Sequence, residues 1–501
     1  MPMKLKKLLN KYEYWPGEWI KWGITAVFLL GILLTLHPGA NAASPTLYYV
    51  SPAGNDNNPG TFDKPFATIQ HAVDQATPGT YIYVRGGIYT EKINITRSGE
   101  PGNPIVIAAF SGEEPIIDGV GKLPNEGTYT PLVQIKANHI IFRGFEIRNS
   151  TARGLQVFQA DDVLISNVNT HHHWNVGLQV ESSTNVLVED SVVWQNIRAR
   201  PEAGIIGGGG FQIRESDQVT ARRNVVFNNH GEGLSPFRST NIIVEENIIY
   251  DNRHANLYLS LDQTAVARRN LIYCTDNREF WRTGGTGTGL RAGNGLIIND
   301  ETGGGWPETG NNRTVINNIV VGCGVNFAVF TQRPDAGLKG AVIAFNTFVE
   351  ARGDAGSEYS NIIIMPGDHT GAIFANNLVW QSDEYIARGD GASDPDIVFS
   401  HNLYTQPVES EWLAGGGMIA DPLLVNPIII NGNMTIDANW YHLLANSPAR
   451  DAGVAVTGVL GDFHDLMRDD LPDIGAFEYG STTPVSAVGL PERLYIPLLS
   501  R

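Results

Sequence analysis

Charge is scarce in this chain. Asp, Glu, Lys and Arg make up 17% of its 501 residues, which is low for a globular protein. Lysine is missing altogether between Lys136 and Lys339, so a basic group needed in that stretch has to be His or Arg. Cysteine is limited to Cys274 and Cys323, and no metal motif of Cys and His is present. The two cysteines fall at similar points of consecutive repeats, which leaves a disulfide and two separate buried thiols both open. No apolar run reaches the roughly 20 residues that a membrane span needs. The net charge of −17 argues against nucleic acid as a partner. It leaves room for an anionic glycan if cations are local or a metal ion bridges.

Glycine, by contrast, is plentiful at 55 residues, and the sequence repeats itself. From Asn138 to Leu261 each unit has a β-branched run, a turn, and a second apolar run that begins at Gly154-Leu155, Gly177-Leu178, Gly210-Phe211, Gly233-Leu234 or Asn256-Leu257. The intervals are 23, 33, 23 and 23 residues, the long one holding an insertion from Arg198 to Gly209. Strands at this period without helices are the signature of a solenoid, in which each coil touches only its neighbours. A second regularity runs through Gly144, Asn167, Ser191, Asn224, Asn247, Asn270, Asn318, Asn346, Asn377 and Asn402. Asn tolerates the left-handed backbone, and its amide can bond to the Asn stacked one strand spacing away. Further interruptions fall at Thr275 to Gly293 and Ala351 to Ser360, and long loops on a solenoid often build its binding side.

The organisation follows. Residues 1–42 read as an export signal, with Lys4, Lys6, Lys7, Lys11 and Lys21 ahead of an apolar run from Ile24 to Leu36 and a small-x-small site at Ala40-Asn41-Ala42. A retained anchor is the other reading. Residues 43–125 are an N-terminal cap and first coils, with a helix expected over 65–76 from the spacing of Phe66, Ile69, Ala72, Val73 and Ala76. Residues 126–417 are the coils, 418–480 a last coil and C-terminal cap, and 481–501 a linker and tail.

"YYVSPAGNDNNPGTFDKPFATIQHAV", "TPGTYIYVRGGIY" and "GNPIVIAAFSGEEPIIDG" resemble the start of secreted right-handed parallel β-helix proteins of the pectate-lyase-like superfamily, which includes polysaccharide lyases and some glycosidases. "IADPLLVNP", "YHLLANSPARDAG" and "LPDIGAFEYG" resemble the segment that closes the last coil in the same broad group. The resemblance implies an all-β right-handed parallel β-helix. It covers caps and first coils, so it does not specify a reaction.

Candidate chemistry comes from the repeat alignment. Side chains alternate along a strand, so Leu155, Val157, Leu178, Val180, Phe211, Ile213, Leu257 and Leu259 point inward. One outward row is Gln156, Gln179, Gln212, Ser235 and Tyr258; the next is Phe158, Glu181, Arg214, Phe237 and Ser260. Polar and aromatic rows suit a sugar chain, although any solvated face is polar too. Three histidine-bearing turns put His173, Trp174, His230, Glu232 and His254 along one edge. β-Elimination of a uronate needs a cation or metal to neutralise the carboxylate, a base for the C5 proton and an acid for the leaving oxygen. His230 and His254 are the base and acid candidates, with Glu232 beside them. Arg198, Arg200, Arg214 and Arg238 are available for the carboxylate. His173, Trp174, Gln179, Gln212 and Tyr258 are candidate sugar contacts. One resembled lyase type uses a lysine base, which this stretch lacks. A Ca²⁺ site of several Asp on adjacent coils is not evident; Asp161-Asp162 is the one candidate for Ca²⁺, with a plain turn as the other reading.

The expectation is thus an exported or cell-surface monomer acting on an anionic polysaccharide by β-elimination. Two alternatives stay open. One is a glycoside hydrolase with carboxylates drawn from Glu181, Glu202, Glu215 and Glu232. The other is a glycan-binding adhesin without catalysis.

Overall fold

The computed structural model describes residues 45–127, 129–198, 208–283, 288–301, 309–389, 396–427, 430 and 432–480. The expected export signal, Arg200, Glu202 and the expected C-terminal tail lie outside the described residues. Three long parallel sheets of 13, 11 and 13 strands wrap one core. A coil visits them in turn: Arg153–Phe158 in the 11-stranded sheet, Asp161–Ser166 in one 13-stranded sheet and Asn169–His171 in the other. The winding is right-handed, the hand that parallel crossovers take. Among the described residues no helix is long and apolar enough to cross a membrane.

The inward set is as expected: Leu155, Val157, Leu178, Val180, Phe211, Ile213, Leu257 and Leu259 are all fully buried. The corners are more regular than the sequence suggests. Between Ser182 and Asn270 the turns of the coils carry a left-handed residue followed by a buried polar rung. At one corner the left-handed residues are Asp190, Arg223, Glu246 and Arg269, and the rungs after them are Ser191, Asn224, Asn247 and Asn270. The amide N–H of each rung donates to the side chain of the next at 2.9–3.1 Å. The ladder continues through Asn318, Asn346 and Asn377 to Asn402. The expectation for this ladder needs two corrections. The rung Asn is not itself left-handed; the residue before it is. Gly144 and Asn167 are also one position early, because Val168, whose amide donates to Ser191 Oγ at 3.1 Å, occupies the rung position. A second corner runs Ser183, Ser216, Ser239, Asp262 by the same rule. The third runs His173, Asn196, Asn229, Asn252, Asn256. Left-handed backbone costs an ordinary residue about 1–2 kcal/mol, and the hydrogen bonds of the rungs offset it.

The third ladder also explains the Gly-apolar pairs. A Cβ on Gly177 would lie 2.4 Å from Asn196 Nδ2, and one on Gly210 2.3 Å from Asn229 Cγ. Glycine there makes room for the rung behind it. At Asn256 the glycine is replaced by a side chain that becomes the last rung and donates to Cys274 Sγ at 3.1 Å. Cys274 and Cys323 are joined in a disulfide.

The expected helix forms over Ile69–Gln75, capped by Thr68 and by Glu91, which accepts from the amides of Ile69 and Gln70. It is shorter than 65–76 because Phe66 is held extended against Val50. Its buried Ile69, Ala72 and Val73 join the main core. The C-terminal segment behaves differently from the expected cap. After Met418–Ile419 extends the second 13-stranded sheet, the chain runs back along that sheet's outer face. Leu424, Ile436, Tyr441, Leu443 and Phe477 pack there on outward Leu271, Tyr273, Ile319, Val321 and Leu378. Polar ties join the two, such as Arg468 to Asn317 at 2.9 Å and Gly475 N–H to Asn376 O at 2.9 Å. The interior of the last coil is filled by Trp412, packed on Phe374, Phe399 and Tyr404.

Candidate active site

The 11-stranded sheet carries the outward rows in register. Gln156 pairs with Gln179, Gln179 with Gln212, and Gln212 with Ser235. The next row pairs Phe158 with Glu181, Glu181 with Arg214, and Arg214 with Phe237. A groove of about 280 Å³ lies over these rows, lined by Tyr129, Arg153, Gln212, Arg214, Glu232, Ser235, Phe237, Tyr258 and Glu301, among others. Arg214, Glu232, Gln212 and Tyr258 are therefore brought together as the alignment expected. Arg153, Tyr129 and Glu301 were missed. Arg153 precedes its Gly-apolar pair by one residue, where no periodic signal points, and Glu301 and Tyr129 sit in loops outside the repeat.

Ion pairs organise the groove. Glu181 accepts from Gln156 Nε2 at 2.9 Å and from Arg153 Nη1 at 3.5 Å, with Arg214 Nε at 3.9 Å. Arg153 is stacked over Tyr129 at 5.2 Å, and burial holds its guanidinium below the usual arginine range. Arg214 also bonds Glu215 at 3.2 Å and lies over Phe237 at 5.6 Å. Further along, His254 Nδ1 lies 3.3 Å from Glu232 Oε1. The Tyr258 hydroxyl donates to Glu301 at 2.7 Å and accepts from Asn299 Nδ2 at 2.7 Å. Burial, then the Glu301 charge, pushes this phenol well above its ordinary range. The His254 and Tyr258 rings are 6.2 Å apart.

Several expected contacts are corrected. His173 is fully buried. Its Nδ1 accepts from Ser150 N–H at 3.1 Å, and Nε2 contacts Thr170 Oγ1 at 2.9 Å and Ile147 O at 3.1 Å. Burial lowers its pKa to about 3. It is the first rung of the third ladder, not a sugar contact. Gln179 is also fully buried: it accepts from Gln156 at 3.0 Å and donates to Gln212 at 2.7 Å, so its amide is consumed within a glutamine ladder. Tyr258 is only 5% exposed, so its ring face is closed to stacking while its hydroxyl reaches the groove. Trp174 is half exposed but lines a separate hollow of about 740 Å³ with Val120, Asn149, Thr151, His172 and Arg198.

His230 packs beside Phe280, with Glu279 3.7 Å away. Burial lowers its pKa, and it does not line the groove. Arg238 pairs with Glu215 at 3.1 Å, outside the groove lining. Asp161 and Asp162 open the strand Asp161–Ser166, Asp162 with left-handed backbone, and their carboxylates are bonded to Asn185 and His139 respectively, each at 2.7 Å. Among the described residues no group of three His, Cys, Asp or Glu is placed to hold a metal ion.

Comparison with known proteins agrees with the fold. Residues 48–202 match the model of the Pel9A-like right-handed β-helix region. The chain is 33% identical over 227 residues to pectate lyase PEL9 of Emericella nidulans, covering 42% of this chain and 53% of that protein. It spans 32–57% of the length of the curated relatives it matches. In structure it aligns with pectate lyase Pel9A at a TM-score of 0.54 and 18% identity, over 87% of this chain and 97% of that one. The complex of XylC with xylose aligns at 0.54 and 10% identity, over 88% and 99%. The chain is a right-handed parallel β-helix that resembles the pectate-lyase-like polysaccharide lyase superfamily.

Proposed function

We propose that this is an exported enzyme that cleaves an acidic polysaccharide by β-elimination in the groove over the 11-stranded sheet. The observation that carries the reading is that Tyr258, Arg153 and Arg214 line one groove with Glu232, and that His254 stands behind this lining, 3.3 Å from Glu232 and 6.2 Å ring to ring from Tyr258. Arg214, with Arg153 behind it, pairs with the uronate carboxylate and stabilises charge developing at C5. With Nδ1–H directed at Glu232, His254 presents a lone pair on Nε2. That nitrogen takes the C5 proton. The C4–O bond then breaks, its electron pair leaving on oxygen as the C4=C5 double bond forms. Tyr258, kept protonated by burial and by Glu301, gives its proton to the leaving oxygen. The relatives named as pectate lyases support the substrate class.

A second reading has one observation in its favour: Glu232 and Glu301 both border the same groove, as a hydrolase's paired carboxylates do. One experiment separates the readings. The protein is offered pectate, alginate, glycosaminoglycan and xylan, and followed by the ultraviolet absorbance of an unsaturated uronate and by reducing ends. Absorbance marks the lyase. Reducing ends alone mark the hydrolase, and binding with neither marks an adhesin. Unchanged absorbance in both His254→Ala and Arg214→Ala sinks the assignment of roles.

A further inference from the structure

The short hairpin of Arg282–Thr283 and Leu290–Arg291 pairs antiparallel, with Arg282 directly opposite Arg291. Like charges in that relation destabilise a strand pair. Both are also withdrawn from solvent, Arg291 to 6% exposure and Arg282 in part. The Nε of each is buried without a hydrogen-bond partner. Arg291 spends Nη1 on the neutral Asn294 side chain at 2.9 Å. Burial first, and neighbouring guanidiniums next, pull Arg282 down to about 10 and Arg291 to about 9. The neighbours are Arg253 on Arg282, and Arg282 and Arg388 on Arg291, where Glu358 is the carboxylate that opposes them. Among the described residues neither Arg282 nor Arg291 forms an ion pair. This is not the habit of the chain. Arg222, Arg223, Arg268 and Arg269 each hold a carboxylate at 2.6–2.8 Å on the adjacent coil.

The cluster lies beside the same 11-stranded sheet, beyond the strands that line the groove. Asn294 opens the strand that pairs with the Tyr258 strand. In register, Tyr258 is followed by Ile297, Ala328 and Ile363, which are buried in an apolar cluster, and then by the exposed Arg388. We propose that Arg282 and Arg291, with Arg388 at the open side, form a second carboxylate-binding subsite, which takes another uronate of the polysaccharide whose reacting sugar lies over Arg214 and Tyr258. The proposal rests on the acidic-polysaccharide reading. Three strand spacings, about 14 Å, separate the Arg214 strand from the Asn294 strand, so only a long oligomer touches both places.

The test is calorimetric titration of the full chain with short and long oligogalacturonates and oligoalginates, at two salt concentrations, with neutral xylo-oligosaccharides as control. The double variant Arg282→Gln/Arg291→Gln is expected to lose affinity for long acidic oligomers by about tenfold or more, the worth of a charge-assisted contact. It should keep its affinity for short ones and show a weaker salt dependence. Its melting temperature should hold or rise, because a repulsion is removed; a purely structural pair would lower it. Unchanged long-oligomer affinity overturns the proposal, as does preference for sulfated over carboxylated oligomers. Should the double variant fold poorly, the exposed Arg388→Gln decides, with unchanged long-oligomer affinity again overturning it. Long-oligomer binding that depends on the arginines without any unsaturated product refutes the lyase reading and keeps this subsite. Turnover with an unaltered length preference does the reverse.

Discussion

His173 offers the sharpest test of the corner rule. Its Nδ1 accepts the Ser150 amide, which can only donate, so the proton is on Nε2 and is shared by Ile147 O and Thr170 Oγ1. Asparagine is the residue at the following rungs of this ladder, where Oδ1 receives the amide one coil back and Nδ2 reaches a carbonyl 26 residues earlier, as in Asn196 to Thr170. His173→Asn therefore preserves the rung. His173→Ala orphans the Ser150 amide and the Ile147 carbonyl, each worth about 1–3 kcal/mol when buried and unpaired, for a loss of about 2–6 kcal/mol. Acid adds a signature. The folded pKa is about 3 against an ordinary 6.5, so below 6.5 the unfolded chain binds a proton that the folded chain refuses. The stability this neutral ring contributes is complete above about 6.5 and drains as pH falls toward 3, by about 2 kcal/mol between pH 7.5 and pH 5. Buried Asp251 and Asp262, raised to about 6 and about 7, titrate in the same window with the opposite sign, so the measured quantity is the difference between wild type and His173→Asn. Urea unfolding across pH 5 to 7.5 reads it. Near-equal stability at pH 7.5, and a gap opening in favour of the variant toward pH 5, are expected. Parallel pH profiles for the two proteins would refute the assignment.

Three further outcomes follow from the same geometry. Asn247→Ala removes the acceptor of the Asn224 amide and the donor to Ala221 O and should cost about 2–6 kcal/mol in urea unfolding, whereas exposed, left-handed Asn167→Gly should stay within about 0.5 kcal/mol. The disulfide closes a separation of 49 residues, so Cys274→Ser/Cys323→Ser should lose about 4 kcal/mol by chain entropy, read as a fall in the urea midpoint. His230→Ala and Trp174→Ala lie outside the groove lining and should leave turnover within about twofold, under 0.5 kcal/mol of barrier, while Tyr258→Phe, which lacks the proton for the leaving oxygen, should reduce it by about a hundredfold or more.

The coils, the inward set and the outward rows were legible because strand alternation and a 23-residue spacing leave one register. Charge scarcity and the missing lysine also narrowed the candidates for a base to His and Arg. The corners were only half legible. Their letters repeat, but a left-handed residue announces itself through whatever precedes the rung: Asp190, Arg223, Phe345 and His401 all serve and have no composition in common. The C-terminal segment looked like a cap because turn residues dominate it. Its actual place depends on the outward apolar row of another sheet, Leu271, Ile319 and Leu378, which lies far away in sequence. Arg153 and Glu301 escaped because each belongs to the groove through a neighbouring coil and not through its own position in the repeat.

The histidines show how a repeat decides which residues remain free for chemistry. A side chain immediately after a left-handed corner residue is a rung, whatever its type: His172 is left-handed, so His173 is spent on the ladder. One step later, His230 follows rung Asn229 and turns against Phe280. Two steps later, His254 follows rung Asn252 and meets Glu232, which lines the groove. Three histidines in equivalent turns thus have three fates, set by their distance from the rung. An aligned row of histidines in a β-helix consequently carries no functional weight until the rung of each corner has been located. In this chain that step changes the proposed base and acid from His230 and His254 to His254 and Tyr258.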